Sequence, residues 1–283
     1  MIDEQRVRYS LAVRRKFSES MSLRHASRAD LESLLRTRQL DRTLTSSLPP
    51  LDPHDEYAIG PTGVTALDAA LGGGFPRGHV SEIVGRRSSG RASLLLQMLA
   101  ASTARGELTA LVDALDMFDV ESAAEAGVDL ARLLWIRGSV VSHPGLCRDR
   151  NPRAMEQAVR ALTLVLQAGN IGLVAFDAGE APLEAWRRLP FTTWLRLQRM
   201  VEGRQTICVL VGTAPVARSA AGLTVLLGRA GQEGQPRQHA PEGLRFNGRL
   251  FDGFTCHMRV LRARVRDREE ASATFSTFAR DHD

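Results

Sequence analysis

The chain has 283 residues, of which 43% are hydrophobic and 24% charged. That balance is ordinary for a globular protein able to bury a core, as one large domain or a domain with a smaller appendage. No apolar run approaches the roughly 18 residues needed to cross a bilayer, so neither a membrane-spanning helix nor a membrane partner is expected. The N-terminus MIDEQRVRYSLAVRRKF has no continuous apolar segment and no small-residue cleavage site, so no secretory signal is read. Cys147, Cys208 and Cys256 lack metal-ligand spacing, and a low, odd count argues for reduced thiols and a cytoplasmic location. Lys16 is the only lysine, and the formal net charge is +5. The composition bias of a GC-rich genome explains the preference for arginine but not the excess of base over acid, which permits a polyanion partner such as DNA.

Residues 1–48 are polar, arginine-rich and helix-prone. Ser27 is a plausible N-cap for a helix over Arg28–Leu40, with Leu31, Leu34 and Leu35 on one stripe. The stripe favours docking to a neighbouring molecule over a disordered tail, which makes these leucines candidate partner-binding residues. Residues 49–58, rich in proline, read as a linker. From 59 to 283 the pattern is that of a core domain. Strands are expected over Val80–Val84, Leu108–Asp113, Leu133–Ile136, Gly172–Asp177 and Thr206–Val211. Helices are expected over Ser89–Thr103, Val120–Ala126, Arg153–Leu166 and most of Leu183–Val201, where Pro190 should kink or break the last. This alternation predicts an α/β fold, a mostly parallel sheet with helices on both faces. Beyond Val211 the helical pattern disappears. Leu223–Gly228, Phe254–Val265 and Ala273–Phe278 read as a β-meander extending one sheet edge, with Arg229–Arg249 a mobile loop between the first two. Trp186 and Trp194, eight apart on one expected helix, read as core or partner-packing residues rather than base-stacking platforms.

Residues 85–93, Gly-Arg-Arg-Ser-Ser-Gly-Arg-Ala-Ser, follow a strand and open a helix, where a P-loop would stand. Gly85 and Gly90 keep the glycine spacing that lets backbone N–H groups wrap a phosphate. The lysine position is Arg91, which keeps the charge in a bulkier planar fork. The position of the Mg²⁺-binding hydroxyl is Ala92, and Ser93, about 100° further round the helix, cannot simply replace it. Asp177 ends an apolar strand, where an acid that helps to hold Mg²⁺ is expected. Candidate nucleotide-binding residues are therefore Gly85, Ser88, Ser89, Gly90, Arg91, Ser93 and Asp177. No catalytic residue and no metal site is assigned, and ATP, if bound, is expected to bind weakly. Glu180 and Glu184 are equally explained as a solvated helix start.

These residues resemble the RecA/RadA recombinase family. Thr62-Gly63, Leu67-Asp68, Ala70 to Gly74, Pro76 and Gly78 look like the family's lead-in to its P-loop. Ser88-Ser89-Gly90, Val112-Asp113-Ala114, Ala126 to Asp129 and Val174–Asp177 continue the likeness, from about Thr62 to Phe278 with gaps. The resemblance implies a RecA-like core, with a helical N-terminal segment that in recombinases joins successive subunits. The acid that activates water in the family is replaced here by Leu115, with Asp116 adjacent, and the family's Asn-Gln pair by Gly212 and Thr213. Arg91, Ala92, Leu115 and Thr213 are thus four altered functional positions, and together they point to binding rather than hydrolysis. The family's two DNA-binding loops correspond to stretches near Ala178–Pro190, with Arg187 and Arg188, and Thr213–Ala221, with Arg218. These arginines are candidate contacts for single-stranded DNA, or else a solvated helix face. A shortened, catalytically degenerate protein of this kind resembles the ImuA family. That implies an accessory role in DNA-damage-induced mutagenesis (translesion synthesis, the SOS response). The implied partners are RecA, an ImuB-like inactive homologue of Y-family polymerases, and an error-prone replicative-type polymerase. A slow DNA-dependent ATPase, a single-stranded DNA-binding module and a SulA-like division inhibitor are the alternatives.

Overall fold

The structure, a computed structural model, describes residues 48, 50, 58–138, 150–217, 221–229, 244–247, 250–264 and 271–278. The expected N-terminal helix with Leu31, Leu34 and Leu35, most of the linker, Cys147 and Arg218 lie outside them.

The described strands are β1 (Ile59–Gly60), β2 (Phe75–Pro76), β3 (Val80–Gly85), β4 (Thr109–Asp113), β5 (Leu133–Arg137), β6 (Leu173–Asp177), β7 (Ile207–Gly212), β8 (Ala221–Arg229), β9 (Leu244–Asn247), β10 (Leu250–Ala263) and β11 (Ser272–Phe278). The helices are α1 (Thr65–Ala70), α2 (Arg91–Ala104), α3 (Val120–Glu125), α4 (Arg150–Ala168), α5 (Leu183–Arg187) and α6 (Phe191–Val201). β1 and β2 form a small antiparallel pair. The main sheet runs β11-β10-β8-β3-β7-β6-β4-β5. The six strands from β8 to β5 pair in parallel. β10 and β11 continue the sheet antiparallel beyond β8.

The central strands explain that arrangement. Every residue of β3, β4 and β7 is buried, as expected of parallel strands covered on both faces. Their alternate side chains feed two cores. On one face α4, α5 and α6 bring Met155, Leu162, Trp186, Trp194 and Leu197 onto Val112, Val174, Phe176 and Leu210. On the other, α1 and α2 bring Leu67, Leu71, Leu94 and Met98 onto Ile83, Leu111, Val209 and Val211, continuous with the inner face of β8, β10 and β11. Both tryptophans are core residues: their rings lie 5.7 Å apart, and Trp186 meets Phe176 edge-on at 5.6 Å.

The expected helix over Leu183–Val201 is two helices, broken at Pro190, which begins α6 from an extended backbone (φ −58°, ψ 141°); a proline ring clashes with the preceding turn of a continuing helix. The stretch 229–249, expected as a loop throughout, contains β9. Its Leu244–Asn247 segment alternates apolar and polar residues and pairs antiparallel with the start of β10. The short period-2 signal was hidden among the glycines, glutamines and prolines around it.

Candidate phosphate-binding site

The C-terminal ends of β3, β4, β6 and β7 lie side by side, the position at which open α/β sheets bind ligands. β3 ends at Gly85. A Cβ there would stand 2.5 Å from the Leu227 carbonyl oxygen and would also strike the Ser89 hydroxyl, so only glycine lets the chain turn against β8. Ser88 (φ 58°) and Gly90 (φ 93°) are both left-handed. They start α2 two residues later than the sequence pattern suggests. The Ser89 N–H donates to the Arg86 carbonyl at 3.2 Å, closing the turn. The first bond of α2 runs from the Leu94 N–H to the Gly90 carbonyl at 2.9 Å. The N–H groups of Arg91, Ala92 and Ser93 therefore have no partner within the helix, and the positive end of a 14-residue helix faces the turn. The backbone is that of a phosphate cradle.

The side chains around it are arranged differently. Arg91 is buried. Its guanidinium donates to the Gly179 carbonyl at 3.1 Å and pairs with the Glu180 carboxylate. The cation at the lysine position thus ties α2 to the turn that follows β6. Glu180 precedes α5, so it is an anchor for Arg91 rather than part of a helix start; Glu184, in the first turn of α5, is exposed. Ala92 is exposed and Ser93 half-buried. The Ser89 hydroxyl oxygen is buried inside the turn and makes no hydrogen bond.

Asp177 ends β6, with one carboxylate oxygen accepting the Gly179 N–H at 2.7 Å. The residue as a whole is half-buried, but protein atoms surround the carboxylate. Desolvation pushes its pKa up to about 6, with the nearby Asp113 adding to the rise, while the Gly179 N–H and Arg91 oppose it. Asp113 ends β4. One of its oxygens accepts the Met117 N–H at 3.0 Å; the other accepts the Phe118 N–H at 2.8 Å and the Trp135 indole N–H at 3.4 Å. Leu115 is buried, and the backbone of Asp116 turns left-handed (φ 57°). The Asp116 carboxylate takes a two-pronged hydrogen bond from Arg137, both contacts at 2.8 Å, and Arg137 stacks on Trp135 at 4.7 Å. Neither residue after Asp113-Ala114 offers a free base to the cleft.

These groups do not fit a divalent cation. Ala92 has no side-chain oxygen, both Asp113 oxygens accept hydrogen bonds, and one Asp177 oxygen accepts the Gly179 N–H. Among the described residues no three His, Cys, Asp or Glu side chains gather around a common point.

Two further features were not read from the sequence. A Cβ on Gly212 would come within 3.2 Å of the Trp186 ring, so the indole fills the space that a side chain at 212 would need. Glu82, the third residue of β3, is buried, and accepts the Val216 N–H at 2.7 Å, the Ala217 N–H at 2.8 Å and the Thr224 hydroxyl at 2.9 Å. It pins the chain leaving β7 to the sheet. A lone carboxylate inside the apolar run Val-Ser-Glu-Ile-Val was the available signal. Arg187 and Arg188 are exposed at the end of α5.

A mostly parallel sheet clad by helices on both faces, with antiparallel C-terminal strands and a glycine-bounded cradle between β3 and α2, defines a RecA-like core. The RecA N-terminal domain family matches residues 48–183. Protein RecA of Clavibacter michiganensis subsp. michiganensis is 38% identical over 159 residues, 54% of this chain and 40% of that protein. Protein RecA of Chlorobium chlorochromatii is 31% identical over 165 residues, 53% and 43% of the two chains. Protein RecA of Chlorobaculum parvum is 40% identical over 118 residues, 41% and 30%. The chain is related to RecA, and it spans about two fifths of the length of the first two of these relatives. Among the described residues no helix is long and apolar enough to cross a membrane.

Proposed function

We propose that this protein is a RecA-like accessory factor of DNA-damage-induced mutagenesis. It works by binding, as an adaptor to a polymerase-like partner, to RecA or to both, in the manner of the ImuA family. One observation carries the reading: the Arg91 guanidinium is held by Gly179 and Glu180 while the cradle backbone around it is intact. Beside it stand an alanine at the metal-ligand position, a buried leucine at the base position and an indole against Gly212. Losing a positioned base or a metal ligand typically lowers rate by about a hundredfold or more each. The surface around the core then serves recognition, with Leu31, Leu34 and Leu35 as the docking stripe and Arg187, Arg188 and Arg218 as candidate phosphate contacts.

The test is a turnover assay with ATP, Mg²⁺ and single-stranded DNA, run beside binding to RecA and to the polymerase-like partner. The expected result is negligible hydrolysis, with partner binding that weakens when residues 1–48 are removed. Brisk turnover would overturn the reading. A slow rate abolished by Asp177→Asn would favour the alternative of a weak DNA-dependent ATPase, for which Glu180 is the acid placed beside the cradle.

A further inference from the structure

α4 and α6 are crossover connections between parallel strands, so they run the same way over one face of the sheet, and they pack against each other there. Their inner sides line the core. Their outer sides combine two features. Leu164 on α4 is 67% exposed, the highest value among the described large apolar side chains, and Phe191 and Leu195, one turn apart on α6, are 37% and 39% exposed. Arg160 stands one turn before Leu164, and Arg196 and Arg199 stand beside Leu195. Arg153, Arg160, Arg196 and Arg199 are all exposed, and among the described residues none of them forms a hydrogen bond or an ion pair. α6 contains no acidic residue, and Glu156 is the one carboxylate among the described side chains of α4. Elsewhere the arginines are compensated: Arg77 and Arg105 hold Glu107, Arg132 holds Asp129, Arg137 holds Asp116 and Arg91 holds Glu180. A leucine alone on a surface needs no explanation, but apolar side chains gathered among unpaired cations mark a surface that meets something.

We infer that the outer face of α4 and α6 is a docking surface for a partner protein, which presents a short amphipathic segment with leucine-like anchors set among aspartates or glutamates. Charge complementarity selects the acids: unpaired arginines on a face almost free of carboxylates attract an acidic segment and repel a basic one. Leu164 and Leu195 select the apolar anchors, whose burial against them supplies the rest of the affinity. A nucleic acid strand would engage the arginines but leave both leucines against sugar and phosphate, with no gain from covering them. An anionic membrane requires an apolar face that sinks below the headgroups, and three separate side chains on helices fixed to a sheet offer little to insert. This deepens the adaptor reading above, by naming a surface and the chemistry it takes, and rests on it.

The probe is a synthetic helix-prone peptide of roughly 16 residues, with leucines at three- and four-residue spacing and glutamates or aspartates between them. Its binding to the full-length protein is followed by fluorescence anisotropy. Saturable binding that weakens with added salt is expected. Exchanging the peptide's acids for glutamine, or its leucines for alanine, should weaken it by about tenfold or more. So should Arg196→Glu with Arg199→Glu, and separately Leu164→Ser with Leu195→Ser; both pairs are exposed, and far-UV circular dichroism checks that the fold is kept. Arg259→Glu, exposed on β10, alters net charge elsewhere and should leave affinity within about twofold. The two double variants should also weaken binding of the polymerase-like partner. Three results would each overturn the inference: no saturable peptide binding at millimolar concentration, a loss in Arg259→Glu equal to that in the double variants, or tighter binding of an oligothymidylate or of phosphatidylserine vesicles to this face than of the peptide. Failure of the peptide while the polymerase-like partner or RecA still binds removes this inference alone. Absence of all partner binding, or brisk ATP turnover, removes the adaptor reading and this inference with it.

Discussion

The main-chain N–H of Ala114 donates to the carbonyl oxygen of Asp177 at 2.8 Å. That bond fastens the ends of β4 and β6 together and places the Asp113 and Asp177 carboxylates at one end of the cleft. Asp113 is satisfied by three donors, whereas Asp177 has the Gly179 N–H and an unfavourable setting.

That setting gives a pH-dependent prediction. Asp177 titrates near 6 in the folded protein, above the 3.8 of a free side chain. Above pH 6 the native state carries an ionised carboxylate at a penalty on the order of 1–3 kcal/mol. As pH falls from about 6 towards 4 the native state takes up a proton before the unfolded chain does, and the penalty disappears. Asp177→Asn should therefore be more stable than the parent by that amount above about pH 7, with the difference shrinking to near zero below about pH 4. Urea midpoints at the two pH values check it; an unchanged difference across the range would show that Asp177 is not the titrating group.

Arg91 and Glu180 are unequally exposed, the arginine side chain at 8% and the glutamate at 41%. Removing the outer partner leaves the buried guanidinium with only the Gly179 carbonyl. Glu180→Ala should thus destabilise by about 1–2 kcal/mol, more than the few tenths usual for a surface carboxylate. Chemical denaturation of the variant measures this directly, and a change under about 0.5 kcal/mol would show that the pair has no structural weight.

Glu82 holds two N–H groups and a hydroxyl that are otherwise cut off from solvent or half so. Glu82→Ala should cost about 3–5 kcal/mol, because it strands those donors and leaves a hole. Glu82→Gln keeps one carbonyl oxygen and should lose less. Hydrogen exchange at Val216 and Ala217 is the specific readout: their amides should lose protection in either variant well before the strands do.

Gly212 and Trp186 form a pair whose energies should not add. Gly212→Ala pushes a methyl group to 3.2 Å from the indole and should destabilise by about 1–2 kcal/mol. In a Trp186→Leu background the larger loss, about 2–4 kcal/mol from the emptied core, should absorb most of the alanine's effect. A double-mutant cycle with zero coupling would mean that the ring is not what keeps position 212 small.

The layered architecture was legible because β3, β4, β6 and β7 are apolar on both faces and short, bounded by glycine or by the ends of helices with clear three-to-four spacing. Pro190 marked the break between α5 and α6. The tight turn from β3 into α2 was legible from Gly85 and Gly90, since their spacing reflects a backbone requirement. What the Arg91 side chain does was not. Its partners lie 88 and 89 residues away, and nothing local distinguishes an arginine facing a phosphate from one facing a glutamate. Glu82 escaped for the same reason, its donors being 134 to 142 residues along the chain. β9 was lost because four residues are too few to rise above a glycine-rich surrounding.

The cradle strand β3 stands between β7 and β8, partners that follow it by more than a hundred residues. During synthesis β3 therefore leaves the ribosome before either strand it pairs with, and its edge towards β8 stays open until the chain has grown past Arg229. The Gly85 turn, which leans on the Leu227 carbonyl, cannot reach its final packing before β8 has been made.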